Sequence, residues 1–244
     1  MLTIITTKKT ELKHKEYMKN SQNKIFVIIT LIFFMNFGYS QTDEIKIKFI
    51  GNCGMYLTDG NINLYVDFPY KSGAHKYMKY DENQLYNISE NSIFLFTHKH
   101  KDHYSKKLVR KMKKKYNGKI YDNWNVNKLD DLNNTLNNFS IKAIKTPHSF
   151  TFKHYSYLIT WHNKKIYFTG DTGSLEAING VKNIDWLFTN PWLFMNAKSK
   201  KIKIDTKMIG LYHLYPNQKI EGEIPKNMMI LKKENEIITI ANNQ

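Results

Sequence analysis

Residues Thr97 to His103 read Thr-His-Lys-His-Lys-Asp-His, and they narrow the possible folds more than any other stretch of the chain. His98, His100, Asp102 and His103 fall within six positions of one another. Ile93-Phe94-Leu95-Phe96 runs into them, and Tyr104 to Tyr116 follows with helix-like spacing. A short apolar strand that ends in a ligand-rich turn and then starts a helix is a natural place for a metal. Imidazole and carboxylate are good ligands for zinc and similar divalent ions. The strand end fixes the backbone, so ligands two residues apart can point to the same side of the turn.

A charged loop with solvated histidines is the bland alternative, and the rest of the chain argues against it. Thr146-Pro147-His148 follows the apolar stretch Ile141 to Ile144. Gly170-Asp171-Thr172-Gly173 follows Lys165 to Phe168. His213 closes the run that begins at Ile209. Each candidate ligand stands at or just beyond the end of an apolar run, where strand-based sites collect their residues.

The motif His98-x-His100-x-Asp102-His103, followed in order by His148, Asp171 and His213, resembles the metallo-β-lactamase superfamily in its binuclear metallohydrolase branch. The likeness extends over nearly all of the chain after residue 44. Ile45 to Gly54 and Leu64 to Pro69 are similar to that family's opening strands and its Asp-Pro turn, and Glu234 to Ile240 to its closing strand. The resemblance implies an α/β fold, the four-layer αβ/βα sandwich, with metals at one edge between two sheets. It also implies that His98, His100 and His148 hold one metal. Asp102, His103 and His213 would hold a second, with Asp171 bridging the two. The expected cofactors are two divalent ions, most simply Zn²⁺. Two cations about 3.5–4 Å apart need a shared anion, which Asp171 and a bridging hydroxide would supply. The activated hydroxide would attack an ester, lactone, amide or phosphodiester bond, with Asp102, Asp171 and His213 at the chemistry. Among relatives, small stand-alone lactonase-like hydrolases are the nearest in pattern. A β-lactamase-like amide hydrolase and a non-catalytic secreted metal- or ligand-binding protein on the same fold are the alternatives.

Beyond the ligands, Asp67 is the candidate to orient a ligating imidazole through its second nitrogen, with a turn-capping Asp as the equal alternative. Cys53, in Gly51-Asn52-Cys53-Gly54, reads as a small buried residue rather than a nucleophile. As the only cysteine it excludes an internal disulfide. His154 and His162 read as structural or surface histidines with no ligand partner nearby. His75 reads as solvated or pocket-lining. Asn190, Trp192 and Tyr212 flank the site as weak candidates for substrate contact.

The formal net charge is +16. A basic surface can attract nucleic acid or anionic membrane. Yet Arg110 is the only arginine, and arginine is the usual choice for phosphate forks and base reading. A small-molecule substrate is therefore expected, and no specific nucleic acid. Ile25 to Gly38 is almost wholly apolar, is preceded by Lys19 and Lys24, and is followed by Gly38-Tyr39-Ser40. These are the three parts of a secretory signal, and the apolar run is short for a membrane span. Met18 would open a signal of ordinary length. The expectation is a leader over residues 1–40 and a single hydrolase domain over 41–244. The mature chain would begin near Gln41 outside the cytoplasm, without a stable membrane partner. Anchoring by residues 25–38 is the alternative.

Apolar periodicity predicts strands over Ile45–Ile50, Met55–Thr58 and Ile62–Phe68, with a hairpin turn at Asp59-Gly60-Asn61. It predicts further strands over Ile141–Ile144, Tyr155–Trp161, Ile166–Thr169 and Ile184–Asn190. Leu108, Met112 and Tyr116 share a helix face, and Gly118 can end that helix. Lys71–Asn91 reads as loop with short helix, and Asp122–Asn138 as weakly helical. Asn196–Asp205 reads as a surface loop.

Overall fold

The computed structural model describes residues 44–73, 77–220 and 222–241. The leader and His75 lie outside them. Two six-stranded mixed sheets face one another. The first contains β1 (Ile45–Gly51), β2 (Gly54–Thr58), β3 (Asn63–Val66), β4 (Ile93–Leu95), β5 (Lys119–Tyr121) and β12 (Ile237–Ile240), in the order β12-β1-β2-β3-β4-β5. The second contains β6 (Phe139–Thr146), β7 (His154–Trp161), β8 (Lys164–Phe168), β9 (Ile184–Thr189), β10 (Thr206–Leu211) and β11 (Met228–Ile230), in the order β11-β10-β9-β8-β7-β6. Pairing is antiparallel from β12 to β3 and parallel from β3 to β5. In the second sheet it is antiparallel from β6 to β8 and parallel from β8 to β11.

Alternation along the strands builds the core. Ile45, Ile47 and Phe49 of β1 point inward with Met55 and Leu57 of β2, and they meet Tyr157, Ile159 and Trp161 of β7. Helix α1 (Lys106–Tyr116) covers the outer face of the first sheet through Val109, Met112 and Tyr116, which pack on Phe94 and Phe96. Helices α3 (Glu176–Asn179) and α4 (Pro191–Ser199) cover the second sheet. Short α2 (Leu129–Asn133) plugs the core with Leu129 and Leu132. The result is the helix–sheet–sheet–helix layering expected.

Two local expectations need correction, at the end of α1 and over Asn196–Asp205. Leu108, Met112 and Tyr116 share a face of α1 as expected, and Val109 packs more deeply beside them. The left-handed residue that ends the helix is Asn117, at φ 50°. Gly118 serves another purpose, because a Cβ there would lie 2.8 Å from the Phe94 ring. Asn196 to Ser199 form the last turn of α4 rather than a loop, since Leu193, Phe194 and Ala197 give that segment a buried face. Strand β11 was not foreseen, because Met228–Ile230 is a three-residue edge defined only by its parallel partner.

The two sheets are pinned at one end by the Asp59 carboxylate. Oδ1 accepts from the backbone N–H groups of Asn61 and Ile62, shaping the β2–β3 turn. Oδ2 accepts from Trp161 Nε1 at 3.1 Å and His162 Nε2 at 2.8 Å, at the end of β7. His162 is thus a structural histidine, as expected. At the opposite end, β3, β4, β6, β8 and β10 all terminate beside the site.

Candidate metal centre

Five strand ends and one turn deliver the polar side chains. Asp67 follows β3, His98 to His103 follow β4, and His148 follows β6. Asp171 follows β8, His213 follows β10, and Cys53 sits in the β1–β2 turn. All seven residues expected as ligands meet there. Donor atoms of His98, His100 and His148 lie within 4.8 Å of one another, and so do those of Cys53, His103, Asp171 and His213. Asp102 stands at the edge of the second group, with Oδ2 3.3 Å from His213 Nε2.

Asp171 lies between the two groups. Its Oδ2 is 3.1 Å from His103 Nε2 and from His213 Nε2, and 3.9 Å from His98 Nε2 and from His148 Nε2. Its Oδ1 is buried and has no hydrogen-bond partner, as is His98 Nε2. Buried polar atoms are normally satisfied, and an absent ion is one of the few accepted reasons for an exception. Oxygen and nitrogen donors converging with orphaned lone pairs fit divalent cations.

The hydrogen-bond network fixes which imidazole nitrogens face the centre. Asp67 accepts from Thr97 N at Oδ1, and from Thr97 Oγ1 and His103 Nδ1 at Oδ2, each at 2.8 Å. The Thr97 hydroxyl spends its proton on Asp67, so it accepts from His98 Nδ1 at 3.0 Å. One buried carboxylate therefore holds the Nδ1–H tautomer of both His98 and His103, and leaves each Nε2 lone pair for the site. The orienting role proposed for Asp67 is the one its contacts describe. His100 is turned the other way. Its Nε2 donates to Phe150 O at 3.4 Å, and Nδ1 faces His148 Nε2 at 3.3 Å.

The turn carrying Asp171 is held by a histidine whose part the sequence did not reveal. His154 is 1% exposed, with its ring centroid 5.1 Å from that of His98. Its Nε2 accepts from Asp171 N at 3.0 Å, so Nδ1 carries the proton and donates to Thr146 Oγ1 at 2.8 Å. Thr146 donates in turn to Ser156 Oγ, which donates to Thr169 O. Gly170, at φ 61°, is required beside it, because a Cβ would lie 2.6 Å from His154 Nε2. The reading of His154 as remote from any ligand is therefore corrected. No sequence spacing pointed to it, since cross-strand pairing of His154 with Thr146 is what brings it in.

Asn190 and Tyr212 are also corrected as substrate contacts, since both are buried. Asn190 caps α4 by accepting from Leu193 N, and its Nδ2 donates to Gly170 O and Thr172 O. Tyr212 lies in the main core. Trp192 does face the site. Its Nε1 donates to Asp171 O at 3.1 Å, and its ring meets that of His213 edge-on at 5.2 Å. A cleft of about 470 Å³ opens over the centre, lined by Ser72, Gly73, Lys101, Asp102, His148, Asp171, Trp192, His213 and Tyr215.

Burial and charge set the ionisation. Burial pushes the His98 imidazolium far down, aided by His103. Burial opposes charge on His103 and His213 too, but there Asp171 and the other anionic neighbours prevail and raise both well above the ordinary value. Burial would raise Asp171, but His103 and His213 hold it well below the carboxylate range. A metal in the second group would displace the Nε2 protons of His103 and His213 and take over their pairing with Asp171.

No family of known sequences matches this chain, and no curated relative does. Solved structures match its fold. The metallo-β-lactamase fold protein YhfI of Bacillus subtilis superposes with a TM-score of 0.54 at 16% identity, over 81% of this chain and 99% of that one. Igni18, a metallo hydrolase of the archaeon Ignicoccus hospitalis, gives 0.53 at 12% identity, over 82% and 100%. The chain has the metallo-β-lactamase fold.

Proposed function

We propose that the protein is a binuclear metal-dependent hydrolase of small ester, lactone, amide or phosphodiester substrates. The observation that carries this reading is the Asp171 carboxylate, set between two groups of imidazoles with one oxygen shared and the other unpartnered. His98, His100 and His148 would hold one ion, and His103, His213 and Asp102 the other, with Asp171 common to both. Zinc suits the imidazole-rich donors. When bound, the ions would supply Lewis acidity and activation of a water molecule. The fold's occurrence in a protein described as a metallo hydrolase supports the class.

The chain's own residues account for the rest. Trp192 and Tyr215 form an aromatic wall whose rings stack at 6.4 Å, suited to one face of a flat or apolar group. Lys101 at the cleft favours an anionic or strongly polar substrate end. Asp102 lies on the wall and keeps its charge, since its hydrogen bond to His213 outweighs burial. It is placed to accept a proton from water entering the cleft. Phe150 and Phe152, both almost fully exposed, stand on the loop that carries His148. The leader expected over residues 1–40 from the sequence supports a further proposal, export from the cytoplasm, tested by N-terminal sequencing of protein made in a secreting host.

The deciding experiment combines metal content with a panel of generic esters, lactones, amides and phosphodiesters, on wild type and on Asp171→Asn. Two ions per chain with turnover in the wild type, and loss of the second ion and of turnover in the variant, is the expected result. Two ions without turnover of any member would favour a binding protein on this fold.

A further inference from the structure

We propose that the Cys53 thiolate is a further ligand of the second metal, joining His103, Asp171 and His213 there. This rests on the binuclear reading above. Cys53 enters from the β1–β2 turn, where the register of the two strands shifts between Phe49 and Gly51. It is 1% exposed, and its Sγ lies 3.4 Å from His103 Nε2. That nitrogen faces the centre and is the one an ion would take, because Nδ1 donates to Asp67. The same nitrogen is 3.1 Å from Asp171 Oδ2, which is 3.1 Å from His213 Nε2. All four donor atoms lie within 4.8 Å of one another.

The 3.4 Å and 3.1 Å separations are those of neighbouring donors on one ion. With bonds of about 2.3 Å to sulfur and about 2.0 Å to nitrogen, sulfur and nitrogen on one ion stand about 3.5 Å apart. A second observation points to a cation independently of the cysteine. The Asp171 side chain is 7% exposed, and its Oδ1 has no partner. Asn52 braces the sulfur from the other side, with Nδ2 3.2 Å from Sγ and 2.9 Å from Asp102 O. Asp102 is the less enclosed donor. Its side chain is 21% exposed on the cleft wall, and of the second group it reaches His213.

Ligation exchanges the S–H bond for a sulfur–metal bond and releases the proton to solvent, with no change of oxidation state. A thiolate makes the second site soft, which favours zinc and cobalt over magnesium or manganese.

The test is cobalt substitution of the full chain, read by absorption and by bound cobalt per chain. Cys53 is the only cysteine, so a thiolate-to-cobalt charge-transfer band has a single possible origin. The expected result is two cobalt ions and that band in the wild type. In Cys53→Ser and Cys53→Ala the band should vanish, while the ion held by His98, His100 and His148 stays bound and reports an intact fold. Two bound ions without the band in the wild type, or a band that survives in Cys53→Ser, overturns the proposal and leaves the binuclear reading standing. One ion with the band upholds the thiolate and overturns the two-metal reading. No bound cobalt overturns both.

Discussion

Asp171 is the residue at which the two groups of imidazoles meet. Replacing it by Ala leaves two cation sites facing each other with one fewer anion between them. On the binuclear reading the second metal should be lost before the first, and hydrolysis of a confirmed substrate should fall well over about 10²-fold, because activation of water by metal would be the main catalytic contribution. Asp171→Asn should be nearly as damaging, since the amide keeps the shape and loses the charge. Metal content and rate on the three proteins decide it, and wild-type rates in both variants would remove Asp171 from the centre. Asp67 makes a subtler case. Asp67→Ala strands the Thr97 and His103 donors and should cost about 3 kcal/mol or more of stability. Asp67→Asn should fold better but bind metal roughly 10–100-fold more weakly. An amide N–H facing His103 Nδ1 forces the ring proton onto Nε2, the atom the site needs. Titration with zinc against a competing chelator, beside urea unfolding of the same samples, separates the two effects.

At the scale of elements, the β6–β7–β8 ladder holds the Asp171 turn through the directed chain from His154 to Thr146, Ser156 and Thr169. That chain works only with His154 neutral, because its Nε2 must accept from Asp171 N. Burial, with His148 adding to it, lowers the His154 pKa from 6.5 to about 3. As pH falls through this window the unfolded chain takes up the proton first, so stability contributed by His154 is full above about 6.5 and declines toward about 3. In metal-free protein, urea midpoints should therefore fall on acidification, and fall less steeply in His154→Gln. Parallel curves would show that His154 is not held neutral. The boundaries of helices were less legible than these strands. Asn117 and Gly118 are both acceptable stops by propensity, and only the approach of Phe94 assigns the left-handed turn to one and the small side chain to the other.

For the whole molecule, bound metal would add to the stability of the sandwich. Five strand ends from two sheets converge on one centre, so ions there would cross-link sheets that otherwise share an apolar core and the Asp59 pin. Free metal at a hundredfold over its Kd adds about 2.7 kcal/mol, or roughly 5–10 °C in Tm for a domain of this size. Treatment with a strong chelator should lower Tm by that order, and added zinc should restore it. His98→Ala should lose part of the gain, because it removes one of three imidazoles from the first site. An unchanged Tm on chelation would argue that no ion resides in the folded protein.

The ligand-type residues and the strands that present them were readable in the linear chain, because strand-end ligands follow apolar runs and because His98 to His103 are neighbours in sequence. Their nearness needs no long-range information. The orienting role of Asp67 was half readable, as one of two roles an aspartate after a strand can take. Tertiary structure alone decided between them, since the carboxylate must cross from β3 to the β4 turn to meet Thr97 and His103. Tertiary structure also brought in His154, which depends on the register of β6 against β7. It placed Cys53 against His103, fifty residues away in sequence. It withdrew Asn190 and Tyr212 from the cleft, because flanking a ligand in sequence does not fix which side of a sheet end a side chain faces. Sequence determines which groups are available at each strand end, and the packing of two sheets determines which of them share one centre.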